Sequence, residues 1–251
     1  MRFERHRYLA PRVYVEHALA AGELELAEAQ AHHAAQVLRL REGEALVLFD
    51  GSGGEWRARV AAIGKRSVRV DVGEHDAVER ENRLRITLLQ GLSSADRMDY
   101  TVQKAVELGV AAIQPAACEK SVVRLNDERA ASRQAHWRRV AIAACEQCGR
   151  NRVPEVHLPL RLAGYRLPAG ARGAVLAPDA TANFAAMLDG DARDADALVL
   201  AVGPEAGFSA AEERALVAAG FQPVKLGERI LRTETAGPAA LAVLNCLTGE
   251  F

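Results

Sequence analysis

Residues 197–236 read ALVLAVGPEAGFSAAEERALVAAGFQPVKLGERILRTETA, and the reading of this stretch decides the fold class. It opens on ALVLAVG (197–203), a continuous apolar run. A strand with one wet face alternates apolar and polar side chains, whereas a continuous run marks a strand covered on both faces. The loop Gly203-Pro204-Glu205-Ala206-Gly207-Phe208 follows, and then a helical pattern, SAAEERALVAAG (209–220). Ser209 and Glu212 are spaced as a capping box, and Gly220 stands where the helix should stop. PVKLG (223–227) is a further strand. Beyond it, a loop from Leu226 to Ala236 leads into an apolar helix, PAALAVLNCL (238–247), with Pro238 near its first turn. Buried strands that alternate with helices predict a parallel sheet with helices on both faces.

The same alternation extends upstream. RITLLQGL (85–92) and AAIQPAAC (111–118) are strands, with helices predicted at 96–108 and about 127–148. GAVLAPDA (173–180) is a strand followed by helical TANFAAML (181–188). The first 72 residues differ: RVYVEH (12–17) has strand character, EAQAHHAAQVLRL (28–40) is helical, and ALVLFDG (45–51), EWRARVAAI (55–63) and SVRVDVG (67–73) are short strands. Asp50-Gly51-Ser52-Gly53-Gly54 between two of them is a hairpin signal. The expected organisation is a small β-rich domain (1–72), a polar linker (73–83) and an α/β domain (84–251).

At 49% hydrophobic and 26% charged, the 251 residues can build ordinary cores without disulfides or structural metal. The net charge of −1 offers no bulk attraction to nucleic acid, so any such contact must come from local clusters. Arg2, Arg5, Arg7 and Arg12 stand near Glu4 alone, and seven arginines from Arg124 to Arg152 form a second group. These clusters either meet phosphates or form solvated faces. No segment approaches the roughly 20 apolar residues of a membrane span, and the N-terminus lacks the apolar core of a secretory signal, so a cytoplasmic location is the default. Cys145 and Cys148 form C-x-x-C late in a helix, with no second ligand pair for zinc; two small packed residues are the simpler reading.

Ligands of parallel sheets sit at the carboxyl ends of the strands, which directs attention to the two late loops. In the first, two glycines permit a sharp turn and close approach of a ligand, and the following helix start leaves backbone N–H groups free. The second places Glu228, Arg229, Arg232, Thr233, Glu234 and Thr235 around Ile230 and Leu231. Neither is a phosphate-binding P-loop or a nucleophile elbow. These residues alone lead to an α/β enzyme whose ligand is held by two loops, and leave the reaction open.

GPEAGF paired with LGERILRTETA resembles the cofactor loops of SPOUT-superfamily methyltransferases, whose first loop usually reads Gly-Pro-Glu-Gly-Gly-Phe or Leu; Ala206 departs from that form. HAAQVLRLREGE (33–44), QKAVELGV (103–110) and CEQCGRNRVPEV (145–156) resemble the RsmE family in particular, with Cys148 where Ser is usual. The resemblance implies an N-terminal PUA-like β-barrel, a parallel-sheet SPOUT domain with a C-terminal trefoil knot, and a homodimer. It implies S-adenosylmethionine as cofactor, no metal, and methylation of N3 of a uridine in 16S ribosomal RNA, with the assembled small subunit as partner and no membrane. Another SPOUT methyltransferase acting on tRNA or rRNA, or a non-catalytic RNA-binding ribosome-assembly factor, remains as an alternative.

On this resemblance, Leu176, Gly203, Pro204, Glu205, Gly207, Leu226, Gly227, Ile230, Leu231 and Thr233 are expected to hold the cofactor. Arg232 is the expected catalytic cation, with Arg150 or Arg152 as a second candidate. Glu205 either accepts a proton or orients an arginine, and the arginines nearby favour orientation. Arg2, Arg5, Arg7 and Arg152 are expected to bind RNA.

Overall fold

The structure, a computed structural model, describes residues 10–121, 127–189 and 196–251. The chain divides into two compact units: residues 1–81 with 145–153, and residues 82–144 with 154–251.

In the first unit, β1 (Arg12–Tyr14), β2 (Gly22–Glu25), β3 (Ala45–Phe49), β4 (Glu55–Ile63) and β5 (Val68–Asp76) form one sheet in the order β1-β3-β4-β5-β2. β1 pairs with β3 in parallel and the other ladders are antiparallel. Helix α1 (Glu28–His32) runs into a turn of π-helix at His33–Val37. Along β5 the side chains alternate between buried and exposed as far as Val72, so one face of this sheet packs and the other is wet. Val13, Leu46, Leu48, Val60 and Val70 are the centre of its core, with Ala31 and Ala34 from the helical segment. The β3–β4 turn is built as the sequence predicts: Gly51, Gly53 and Gly54 all take positive φ, and Asp50 accepts from the Ser52 amide at 3.0 Å. The sequence pattern does not single out β2, a short and largely exposed strand of Gly and Glu.

The second unit is a parallel sheet. Its strands are β6 (Arg85–Gly91), β7 (Ala112–Ala117), β8 (Glu155–Val156), β9 (Leu160–Arg161), β10 (Arg172–Leu176), β11 (Ala197–Val202) and β12 (Phe221–Val224). The order is β12-β10-β11-β6-β7-β8, with β9 also on β7. The helices are α2 (Ala95–Glu107), α3 (Asp127–Cys148), α4 (Phe184–Met187), α5 (Ala210–Ala218) and α6 (Thr233–Thr248). β11 lies between β10 and β6, and five of its six residues are buried, as expected of a strand covered on both faces. Pro223 is accommodated because β12 is an edge strand.

Two expectations need correction. The last helix begins at Thr233, not near Pro238, so Pro238 lies inside it. Arg232 is its N-cap, with its carbonyl accepting from the Thr235 and Ala236 amides at 2.9 and 2.8 Å. The helix expected at 181–188 shrinks to Phe184–Met187, because Asn183 is extended and caps it from the Ala186 amide at 2.9 Å. Among the described residues, no helix is long and apolar enough to cross a membrane.

Candidate active site at the carboxyl ends of the strands

The carboxyl ends of β10, β11 and β12 open into a cavity of about 940 Å³, counted with its mouth. That size suits a cofactor-sized ligand. Leu176 comes from the end of β10; Gly203, Pro204, Glu205 and Gly207 come from the loop after β11. Leu226, Gly227, Ile230, Leu231 and Arg232 come from the loop after β12, and Thr233 from the first residue of α6. The structure therefore brings together every residue singled out for the cofactor.

Close packing fixes the first loop. A Cβ on Gly91, the last residue of β6, would lie 2.5 Å from the Pro204 nitrogen, so only glycine lets the strand approach the loop this closely. A Cβ on Gly203 would lie 3.0 Å from the Phe208 nitrogen, inside the turn closed by the Gly207 amide on Pro204 O at 2.9 Å. Gly207 has φ +69°, the left-handed conformation that favours glycine. Beyond the turn, Ser209 and Glu212 form the capping box, and Glu212 also accepts from the Glu119 amide at 2.8 Å. Lys120 holds the loop from the other side, donating to Phe208 O at 3.0 Å.

One hydroxyl ties the two loops together. Thr233 Oγ1 donates to Gly203 O at 2.6 Å and accepts from Gln90 Nε2 at 3.0 Å. Gln90 is fully buried on β6, so α6 and the first loop share one anchor in the sheet.

The charged groups of the cavity fall into two sets. Arg232 is exposed at the lip and, among the described residues, makes no side-chain hydrogen bond or ion pair. Deeper in, Glu205 Oε1 accepts from the Ser94 amide at 3.0 Å and from Arg97 Nη1 at 2.9 Å. Arg97 Nε lies 3.6 Å from Glu234 Oε1. Burial pushes the Glu205 carboxyl up, but the Ser94 amide and Arg97 outweigh it and hold the group below the usual glutamate range. Arg97 was not among the residues singled out from sequence. The usable signal was its place just past the carboxyl end of β6, the same rule that pointed to the two late loops.

Arg150 does not line this cavity. It belongs to the first unit, is 4% exposed, and pairs with Glu81 through both Nε, at 3.0 Å, and Nη2. Arg152, also in the first unit, is half exposed and lies 3.2 Å from Glu79. Arg2, Arg5 and Arg7 lie outside the described residues. Cys145 of the C-x-x-C is buried, and burial pushes its thiol up to about 12, which removes it as a nucleophile at neutral pH.

Comparison with known proteins agrees with this geometry. Residues 80–245 match the family model for the RNA methyltransferase domain, and residues 26–73 match that for the RNA methyltransferase PUA domain. The solved ribosomal RNA small subunit methyltransferase E from Neisseria gonorrhoeae, bound to S-adenosyl methionine, is 39% identical, with a TM-score of 0.87 over 95% of this chain and 98% of that one. A methyltransferase from Legionella pneumophila, also solved with its cofactor, is 36% identical at a TM-score of 0.87, over 94% of this chain and 97% of that one. The ribosomal RNA small subunit methyltransferase E of Mycobacterium bovis is 34% identical over 225 residues, 87% of this chain and 84% of its own. With a parallel sheet ending in two interlocked loops, and matches across nearly its whole length, the chain belongs to the ribosomal RNA small subunit methyltransferase E family of RNA methyltransferases.

Proposed function

We propose that this protein transfers a methyl group from S-adenosylmethionine to N3 of a uridine in 16S ribosomal RNA. The observation that carries the reading is the cavity at the strand ends, walled by both late loops and carrying an unpaired arginine at its lip. The cavity fits the cofactor. Leu226, Ile230 and Leu231 offer apolar surface for an adenine, and Gly203 keeps side-chain atoms away where the backbone must come close.

The bound cofactor supplies an electrophilic methyl group on a sulfonium. The work left to the chain is orientation and charge stabilisation. The paired loops, locked by Thr233 and Gln90, hold the apolar walls in place, so little ordering remains to be done on binding. Uridine N3 carries a proton, and losing it spreads negative charge onto the two flanking carbonyl oxygens. Arg232 at the lip is the cation for that charge. Glu205, already paired with Arg97 and held acidic, is a weak base and serves to orient Arg97.

The target base leaves its stack to reach the cavity. The first unit, with Arg152 and the N-terminal Arg2, Arg5 and Arg7, holds the RNA backbone, and the substrate is the assembled small subunit in the cytoplasm. The chain is a homodimer, supported by the apolar, 39% exposed Val243 on α6. Its last loops form a trefoil knot, supported by the return of β12 past β11 to the far side of β10.

The test is nucleoside analysis of 16S rRNA from cells that lack the gene and from the same cells with it restored. The reading expects 3-methyluridine to appear only on restoration; its presence in both would overturn the reading.

A further inference from the structure

Three charged side chains from three segments meet inside the cavity: Arg97 from the first turn of α2, Glu205 from the first loop, and Glu234 from the first turn of α6. One guanidinium faces two carboxylates, so the cluster carries one net negative charge. Arg97 uses Nη1 on Glu205 Oε1 and Nε on Glu234 Oε1. The second oxygen of each carboxylate, Glu205 Oε2 and Glu234 Oε2, is sealed from solvent and has no hydrogen-bond partner among the described residues. A carboxylate oxygen shut away from both water and donors is costly, and native structures keep such groups where a ligand completes them.

The other cations of the cavity do not fill this role. Lys225 is engaged by Glu228 at 2.7 Å, and Arg229 and Arg232 are exposed at the mouth with no ion pair to either glutamate. What is missing is a cation that brings at least two N–H donors. A sulfonium has none, whereas a primary ammonium has three.

We propose that Arg97, Glu205 and Glu234 form a subsite for a primary ammonium, and that it takes the ammonium of the methyl donor's amino-acid arm. The inference rests on S-adenosylmethionine being the cofactor. Glu205 and Glu234 are the acceptors. Arg97 is a positioning residue: it neutralises one of two neighbouring carboxylates that would otherwise repel, and fixes both with their free oxygens inward.

The test is calorimetric binding of two ligands to the intact protein: S-adenosylmethionine, and 5′-methylthioadenosine, which keeps the adenosine but lacks the amino-acid arm. Glu234→Gln should weaken S-adenosylmethionine about tenfold or more, the scale of losing a hydrogen bond to a charged group, and leave 5′-methylthioadenosine within about twofold. Glu205→Gln should show the same selective loss and stands in if Glu234→Gln does not fold. Arg97→Ala should weaken S-adenosylmethionine selectively too, and Arg97→Lys should recover part of that loss. Equal weakening of both ligands, or no change in either, would overturn the subsite while leaving the cofactor reading intact. Failure of the wild-type protein to bind S-adenosylmethionine would overturn both.

Discussion

Two groups of charges, one in each unit, show opposite states of completion. In the first unit Arg12, Arg80, Glu55, Glu81, Arg150 and Asn151 form a closed network. Arg12 and Arg80 both reach Glu55, at 2.7 and 3.0 Å, Arg80 also donates to Gly149 O at 2.9 Å, and Arg150 grips Glu81. Only Arg12 Nε is left buried without a partner there. In the second unit Arg97, Glu205 and Glu234 leave two carboxylate oxygens unsatisfied, and Arg232 has no partner among the described residues. Arg150 and Arg232 look alike in sequence, each an arginine beside a glutamate and a turn. The contrast teaches that a satisfied buried arginine holds chain segments together, whereas an unsatisfied one beside a cavity awaits a ligand.

The contrast can be broken at either end. The largest effect on stability should come from Arg150→Ala, which leaves Glu81 without its partner. Removing one member of a buried pair costs about 3 kcal/mol or more, visible as a lower urea midpoint. Wild-type stability in that variant would show that the first-unit network is not structural. Arg232→Ala should do the reverse: turnover falls about 100-fold or more while cofactor affinity stays within a few-fold, and the urea midpoint hardly moves. Loss of folding in Arg232→Ala would erase the distinction between the two arginines.

Gly91→Ala sharpens the comparison at the backbone. Its Cβ meets the Pro204 nitrogen at 2.5 Å, so overpacking should cost about 1–3 kcal/mol and weaken cofactor binding together, as read by denaturation and calorimetry. A variant that loses stability and still binds normally would mean that the first loop is set by something other than β6.

The smallest effect concerns pH. Burial pushes the Glu55 carboxyl up, but hydrogen bonds and charge from Arg80 and Arg12 outweigh it and hold the group below its ordinary value. A carboxylate whose pKa is lower in the folded state contributes stability that is complete above the ordinary glutamate pKa of about 4.3 and fades as pH falls through the folded value. Glu55→Gln should therefore flatten the acid side of the stability profile in urea titrations. An unchanged slope would show that other carboxylates set it.

Much of this was legible in the sequence because it is local. The continuous apolar run of β11, the capping box at Ser209 and the glycines of the 50–54 turn each show their conformation within a few residues. The late loops were legible as a ligand site by their place after strands. What was not legible depends on contacts between distant segments. Gly237-Pro238 looks like a helix start, yet the helix runs through them from Thr233, where Gln90 anchors the Thr233 hydroxyl and Gly237 packs on Leu88. Arg97 resembles an ordinary first-turn helix residue until Glu205 and Glu234 are brought to it from 108 and 137 positions away. Arg150 differs from Arg232 only by burial, which no local pattern encodes. Likewise the first unit includes residues 145–153, a grouping that rests on contacts such as the Tyr14 amide on Glu146 at 3.0 Å.

The most direct measurement is methyl transfer from labelled S-adenosylmethionine by the purified protein to small ribosomal subunits that lack their native modifications, followed by nucleoside analysis. The account predicts label in one nucleoside, 3-methyluridine, with none when Arg232→Ala replaces the wild-type protein. Label in a different nucleoside, or none on subunits, free ribosomal RNA or tRNA, would contradict it.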